Sequence, residues 1–91
     1  MRIRWNREAW DDLGRLHAFL LPLDSPAAMR AANRLSSAPR KLIDYPRLGE
    51  RIARYVDREV RRLRVGHYEM WYEIDGDLIV ILRIWHELED R

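Results

Sequence analysis

Val60-Arg61-Arg62-Leu63-Arg64-Val65-Gly66-His67-Tyr68-Glu69-Met70-Trp71-Tyr72-Glu73-Ile74-Asp75-Gly76-Asp77-Leu78-Ile79-Val80-Ile81-Leu82-Arg83-Ile84-Trp85-His86 is the stretch that decides the fold. From Val60 to Val65, Leu63 and Val65 share one face and Arg62 and Arg64 the other, the period-two alternation of a half-buried strand. Gly66-His67 reads as a tight turn. Tyr68, Met70, Tyr72 and Ile74 then line one face of a second strand, with Glu69, Trp71 and Glu73 on the other. Asp75-Gly76 reads as a two-residue hairpin turn, because this pair tolerates positive φ. Leu78 to Trp85 is apolar on both faces until Arg83, which predicts a strand inside a sheet rather than at its edge.

Working outward, Arg2 to Trp5 alternates as a short strand. Asn6 is a helix N-cap, with Glu8 in the positive first turn. Trp5 and Trp10 flank that cap at the spacing of a hydrophobic staple. Ala9, Leu13, Leu16 and Leu20 continue an apolar stripe at helical spacing, while Glu8, Asp11, Asp12 and Arg15 are expected to face water. Pro22 ends the helix. A second helix follows, with Ser25 as cap and Pro26 in the first helical position. Pro39 should kink or split it, with Ser36 or Ser37 capping the second piece. Tyr45-Pro46 stops the helix, and a loop containing Gly49 runs to about Asp57.

The order β-α-α-β-β-β has no βαβ alternation and predicts an α+β fold, a helix hairpin on a mainly antiparallel four-stranded sheet. Leu13, Leu16, Leu20, Ala28, Ala32 and Leu35 are expected to meet Ile3, Leu63, Tyr72, Val80 and Leu82 across the core. A chain of 91 residues allows a single domain, 1–91, with a modest core. Its four Trp and four Tyr supply large buried areas to offset that size.

Composition narrows the chemistry. There is no Cys, so disulfides, thiolate metal sites and a Cys nucleophile are excluded. His17, His67 and His86 have no metal-ligand spacing, and no Gly-rich phosphate loop or nucleophile elbow is present. No cofactor or metal is expected. No signal-peptide core or membrane-spanning run is visible, and a cytoplasmic location is expected. The net charge is only +2, but residues 40–64 carry nine Lys/Arg against four Asp/Glu, and residues 67–91 two against seven. All the basic residues but Lys41 are Arg, suited to a carboxylate or phosphate partner. Arg61, Arg62 and Arg64 beside Tyr68 and Trp71 fit a nucleic-acid surface. They fit cross-strand pairing with Glu69 and Glu73 better, because such pairs are common on antiparallel sheets. Direct nucleic-acid binding is therefore left open. His86, just after the central strand, is either a general acid–base or a structural residue, the structural role being commoner.

Together, Val60 to Tyr68, its continuation through Glu69-Met70-Trp71-Tyr72-Glu73-Ile74, the closing strand to His86 and the upstream Tyr45-Pro46-Arg47-Leu48-Gly49 resemble the RelE/ParE superfamily of toxins from type II toxin–antitoxin systems, closest to the ParE-like branch. The resemblance spans nearly the whole chain. It implies a cognate antitoxin protein as partner. It also implies one of two targets: DNA gyrase for ParE-like members, or mRNA on the ribosome for RelE-like nucleases. Glu69 stands where the nucleases would carry an Arg, and Glu87-Leu88-Glu89-Asp90 replaces a basic end. Carboxylates there would repel phosphate, which favours a binding inhibitor over an enzyme. A degenerate module that only binds its antitoxin is the third reading. The resemblance places target contacts at Arg83, Trp85 and His86, with Arg61, Arg62 and Arg64 as a second basic patch. The antitoxin is expected on apolar surface at Trp71, Trp85 and the helix hairpin, with Arg15 and Arg34 on its rim.

Overall fold

The structure, a computed structural model, describes residues 1–89. Strand β1 (Arg2–Trp5) leads into helix α1 (Arg7–Leu20) and antiparallel helix α2 (Ser25–Ser37). A 3-10 turn (Ala38–Arg40) and a short helix α3 (Lys41–Asp44) follow, then strands β2 (Glu50–Arg51), β3 (Glu59–Val65), β4 (Tyr68–Asp75) and β5 (Leu78–His86). The sheet has five strands in the order β1-β5-β4-β3-β2, one more than the sequence suggests. The extra strand is the two-residue β2, which antiparallel pairing of Glu50 with Arg62 and Arg51 with Arg61 draws out of the Gly49 loop. Such a piece is too short to leave an alternation pattern. β1 runs parallel to β5, so β5 lies inside the sheet, as its two apolar faces require.

Both hairpin turns put Gly first. Gly66 has φ 61° and Gly76 φ 60°, and no other residue type has positive φ among the described residues. Asp75 pairs with Leu78, so the second turn is Gly76-Asp77, one residue later than Asp75-Gly76. A leading Gly with positive φ suits the type II′ turn, whose twist matches that of the strands.

Helix termini follow the sequence in part. Trp5 and Trp10 stack at 4.6 Å across the start of α1, forming the staple. The Asn6 side chain makes no capping bond. For α2 the cap is Asp24 rather than Ser25, its carboxylate accepting Ala27 N–H at 3.0 Å. Asp accepts more strongly than Ser and can use the positive helix end. At Pro39 the helix tightens to a 3-10 turn, and Ser36 and Ser37 bond back to the Asn33 carbonyl instead of capping a new helix.

Ala9, Leu16, Leu35 and Leu42 pack on Leu63, Val65, Met70, Tyr72, Ile79, Ile81 and Ile84. Val80 and Leu82 are not in this core. Val80 pairs with Glu73 on the opposite face, and Leu82 joins Ile52, Val60, Trp71, Tyr55 and Trp85 there. A bulge explains the exchange. Tyr72 pairs with Ile81 and Trp71 with Arg83, leaving Leu82 without a partner and turning Ile84 back toward the helices. No helix among the described residues is long and apolar enough to cross a membrane.

Candidate functional site

β1 ends at Trp5 opposite Ile81, so the upper half of β5 has no strand beside it on that edge. Helix α1 supplies side chains instead. The Asp12 carboxylate accepts Ile84 N–H at 2.8 Å, and Arg15 donates to the Ile84 carbonyl at 3.3 Å. Arg83 grips Asp12 with two bonds, Nε at 2.8 Å and Nη2 at 3.1 Å, and Arg15 adds a third at 3.3 Å. Asp12 is thus buried rather than in water. Burial pushes its carboxyl up, but the bonds from Arg83, Ile84 and Arg15 outweigh that and hold it below the ordinary aspartate value. The clue in the sequence is spacing. Asp12 sits three residues after Ala9 and four before Leu16, on the apolar stripe itself.

After His86 the chain leaves β5, Glu87 staying on the β4 side and Glu89 turning toward α1. Glu87 N–H bonds the His67 carbonyl at 2.8 Å, and the Glu87 carboxylate accepts from Arg64 at 2.7 Å and His67 at 2.9 Å. The bonds from His67 and Arg64 lower its pKa. Glu89 accepts from Arg15 at 2.7 Å and from His86 N–H at 3.0 Å. Burial raises Glu89, and those two bonds more than reverse it. His86 Nδ1 accepts Leu88 N–H at 3.1 Å, so this nitrogen is already engaged, and its ring meets Tyr68 edge-on at 5.2 Å. Burial raises the Tyr68 phenol.

Between this tail and α1 lies a cavity of about 480 Å³. Leu16, Phe19 and Leu20 form one wall, Tyr68 and His86 the floor, and Leu88 and Glu89 the far side, with Arg15 at the rim. The apolar surface continues over the hairpin tip, where Phe19 is 69% exposed, Leu23 72% and Met29 58%. Exposed apolar surface of this kind marks binding surfaces.

The other expected residues are dispersed. Arg61 lies on the helix side of β3, bonded to Glu59 and to the Gly49 carbonyl, both at 2.8 Å. Arg62 and Arg64 lie on the opposite face, Arg62 paired with Glu50 at 2.9 Å and near Glu69 at 3.6 Å, Arg64 with Glu87. The three arginines therefore do not form one patch: Arg61 and Arg62 pair first with Glu59 and Glu50 of their own basic segment, and Arg64 with Glu87 of the acidic one. Glu69 is buried and accepts the Trp71 indole N–H at 2.8 Å. Trp71 is buried too, under Tyr55, Trp85 and the Arg54 guanidinium, whereas Trp85 is half-buried with Arg83 over its ring at 4.9 Å. Arg34 is exposed, its guanidinium against Gly66 where a Cβ would clash at 2.7 Å. Of the residues expected to meet the antitoxin, Arg15 adjoins the exposed apolar surface and Trp71 does not. Phe19, Tyr68 and Glu89 complete the site; the sequence marks Tyr68 only beside the arginines of β3 and Glu89 only as part of an acidic end, and it gives Phe19 no signal. No metal-ligating group of His, Asp or Glu occurs among the described residues.

A family model described as the ParE toxin of the type II toxin–antitoxin system parDE matches residues 3–91. The fold is also similar to a solved chain of the "Chromosomal ParDE TA system from P. aeruginosa", with TM-score 0.78 and 25% identity over 94% of this chain and 95% of that one. No curated protein sequence matches.

Proposed function

This chain belongs to the ParE toxin family of type II toxin–antitoxin systems, and on that premise we propose that it is a binding inhibitor of DNA gyrase, acting in the cytoplasm and neutralised by a cognate antitoxin. The observation that carries the antitoxin half of this reading is the apolar surface from Leu23 through Phe19 into the cavity, with Arg15 on its rim. An amphipathic acidic segment fits such a surface, apolar side inward and carboxylates to arginine.

The target half rests on charge. Arg61, Arg62, Arg64 and Arg83 each hold a carboxylate of this chain. Glu69 stands buried at the position where a nuclease would need a cation. A metal-free ribonuclease needs basic groups aimed at the phosphorane, and these arginines are already neutralised. The half-buried Trp85, with Arg83 stacked on it at the end of β5, suits a protein target better.

Expressing the toxin alone tests both halves. Gyrase-dependent DNA breaks with intact mRNA, relieved by co-expression of the neighbouring antitoxin gene, are expected. Codon-specific mRNA cleavage with normal supercoiling would favour the RelE-like alternative. Unaffected growth would favour a module that only binds an antitoxin.

A further inference from the structure

We infer that Glu87–Glu89 is a self-bound strap that fills the carboxylate position of the α1 cavity, so that an incoming acidic, apolar segment must displace Glu89 from Arg15. This rests on the antitoxin reading and adds the regulation of that surface.

Three observations meet here. The Glu89 carboxylate makes on Arg15, at 2.7 Å, the contact an acidic partner would make, while Glu87, bonded to Arg64 of the opposite sheet face at 2.7 Å, anchors the start of the strap. It also forms one wall of the cavity, with Leu88 beside Phe19 and Tyr68. Yet its hold is shallow. Leu88 is 84% exposed, and the Arg64 and Arg15 side chains remain 63% and 45% exposed. Ion pairs this open to water are individually weak. A strap built from them opens readily, and a partner that adds apolar burial to the same carboxylate contact replaces it. Arg15 keeps its bonds to Asp12 and the Ile84 carbonyl when Glu89 leaves, so its guanidinium stays in place for the incoming carboxylate.

Anilinonaphthalene sulfonate is the probe, because it joins apolar rings to an anion as the inferred partner does. Its affinity for the full chain is measured by fluorescence titration for wild type, for the double variant Glu87→Gln/Glu89→Gln, and for each in a Phe19→Ser background. Phe19 is 69% exposed, so that substitution removes little buried surface. The double variant should bind the dye about three- to tenfold more tightly, the scale of one or two exposed ion pairs. The gain should vanish with Phe19→Ser. Backbone hydrogen exchange at His86, Leu88 and Glu89, whose N–H groups bond within the strap, should accelerate in the double variant. Unchanged dye affinity overturns the inference, whether or not exchange accelerates. A gain that survives Phe19→Ser also overturns it, because the dye then binds elsewhere. If the neighbouring gene product binds neither wild type nor variant, the antitoxin reading falls. The dye and exchange results still decide the strap.

Discussion

Asp12 on α1 accepts the backbone N–H of Ile84 on β5 at 2.8 Å, and so a helix side chain does for the upper half of β5 what β1 does for the lower half. The exchange works because Asp12 is itself neutralised by Arg83 and Arg15, which permits a carboxylate to sit buried between helix and sheet. It also ties the fold to the candidate site. Arg15 serves both Asp12 and Glu89, and Arg83 both Asp12 and the Trp85 ring.

Asp12→Ala should therefore destabilise the chain by about 2–4 kcal/mol, because it strips the buried Ile84 N–H and two arginines of their acceptor. Asp12→Asn keeps an acceptor for Ile84 and should cost less. Urea unfolding of the two variants checks this. Equal losses would mean that the charge, not the Ile84 bond, carries the effect.

The same carboxylates set the acid limit of stability. Asp12 is held below its ordinary value of 3.8, and Glu73, through its bonds from Arg58, below 4.5. Each group is more acidic folded than unfolded, so its contribution is complete above the unfolded value and lost as pH falls through the folded one. Melting temperature should be flat from about pH 7 to 5 and fall below about pH 4. Asp12→Asn should flatten that fall. A melting curve of Asp12→Asn as steep in acid as wild type would remove Asp12 from the account.

Gly49 gives a local test of how β2 is held. Its N–H donates to the Tyr72 hydroxyl at 3.0 Å, and that hydroxyl donates to the Pro46 carbonyl at 2.7 Å. A Cβ on Gly49 would lie 2.6 Å from the Arg62 carbonyl oxygen, so Gly49→Ala must push β2 off β3. Tyr72→Phe keeps the packing but leaves both backbone groups short of a partner, at a cost of about 1–3 kcal/mol. Hydrogen exchange of Ile52 N–H, bonded to the Val60 carbonyl, should accelerate in Gly49→Ala more than in Tyr72→Phe.

Much of this architecture is legible in alternation and turn chemistry. β3, β4 and their faces follow from Leu63, Val65, Met70 and Tyr72, and the interior place of β5 from its two apolar faces. What alternation does not resolve is which face of β5 points inward, since both are apolar and the bulge at Leu82 resets the parity. The site is less legible because it is made of long-range pairs. Arg64 with Glu87, Arg15 with Glu89 and Asp12 with Ile84 join residues remote in sequence, and nothing local distinguishes a paired arginine from a solvated one.

The sharpest functional prediction uses truncation after Trp85. If target contacts lie at the end of β5 and in the segment beyond it, removing that segment abolishes toxicity in cells expressing the toxin alone. Antitoxin binding should survive, because Leu16, Phe19, Leu20 and Arg15 remain in α1. It should tighten modestly, because Arg15 has lost Glu89 while keeping Asp12. Calorimetric titration with a cognate antitoxin, beside plating efficiency of the same truncated toxin, separates the two effects. Retained toxicity would move the target surface away from the end of β5. Lost toxicity together with lost antitoxin binding, in a chain that still unfolds cooperatively, would mean that target and antitoxin share the segment after Trp85. Tight antitoxin binding by a non-toxic truncation is the expected result. It would place target contact and antitoxin contact on different residues of one small domain.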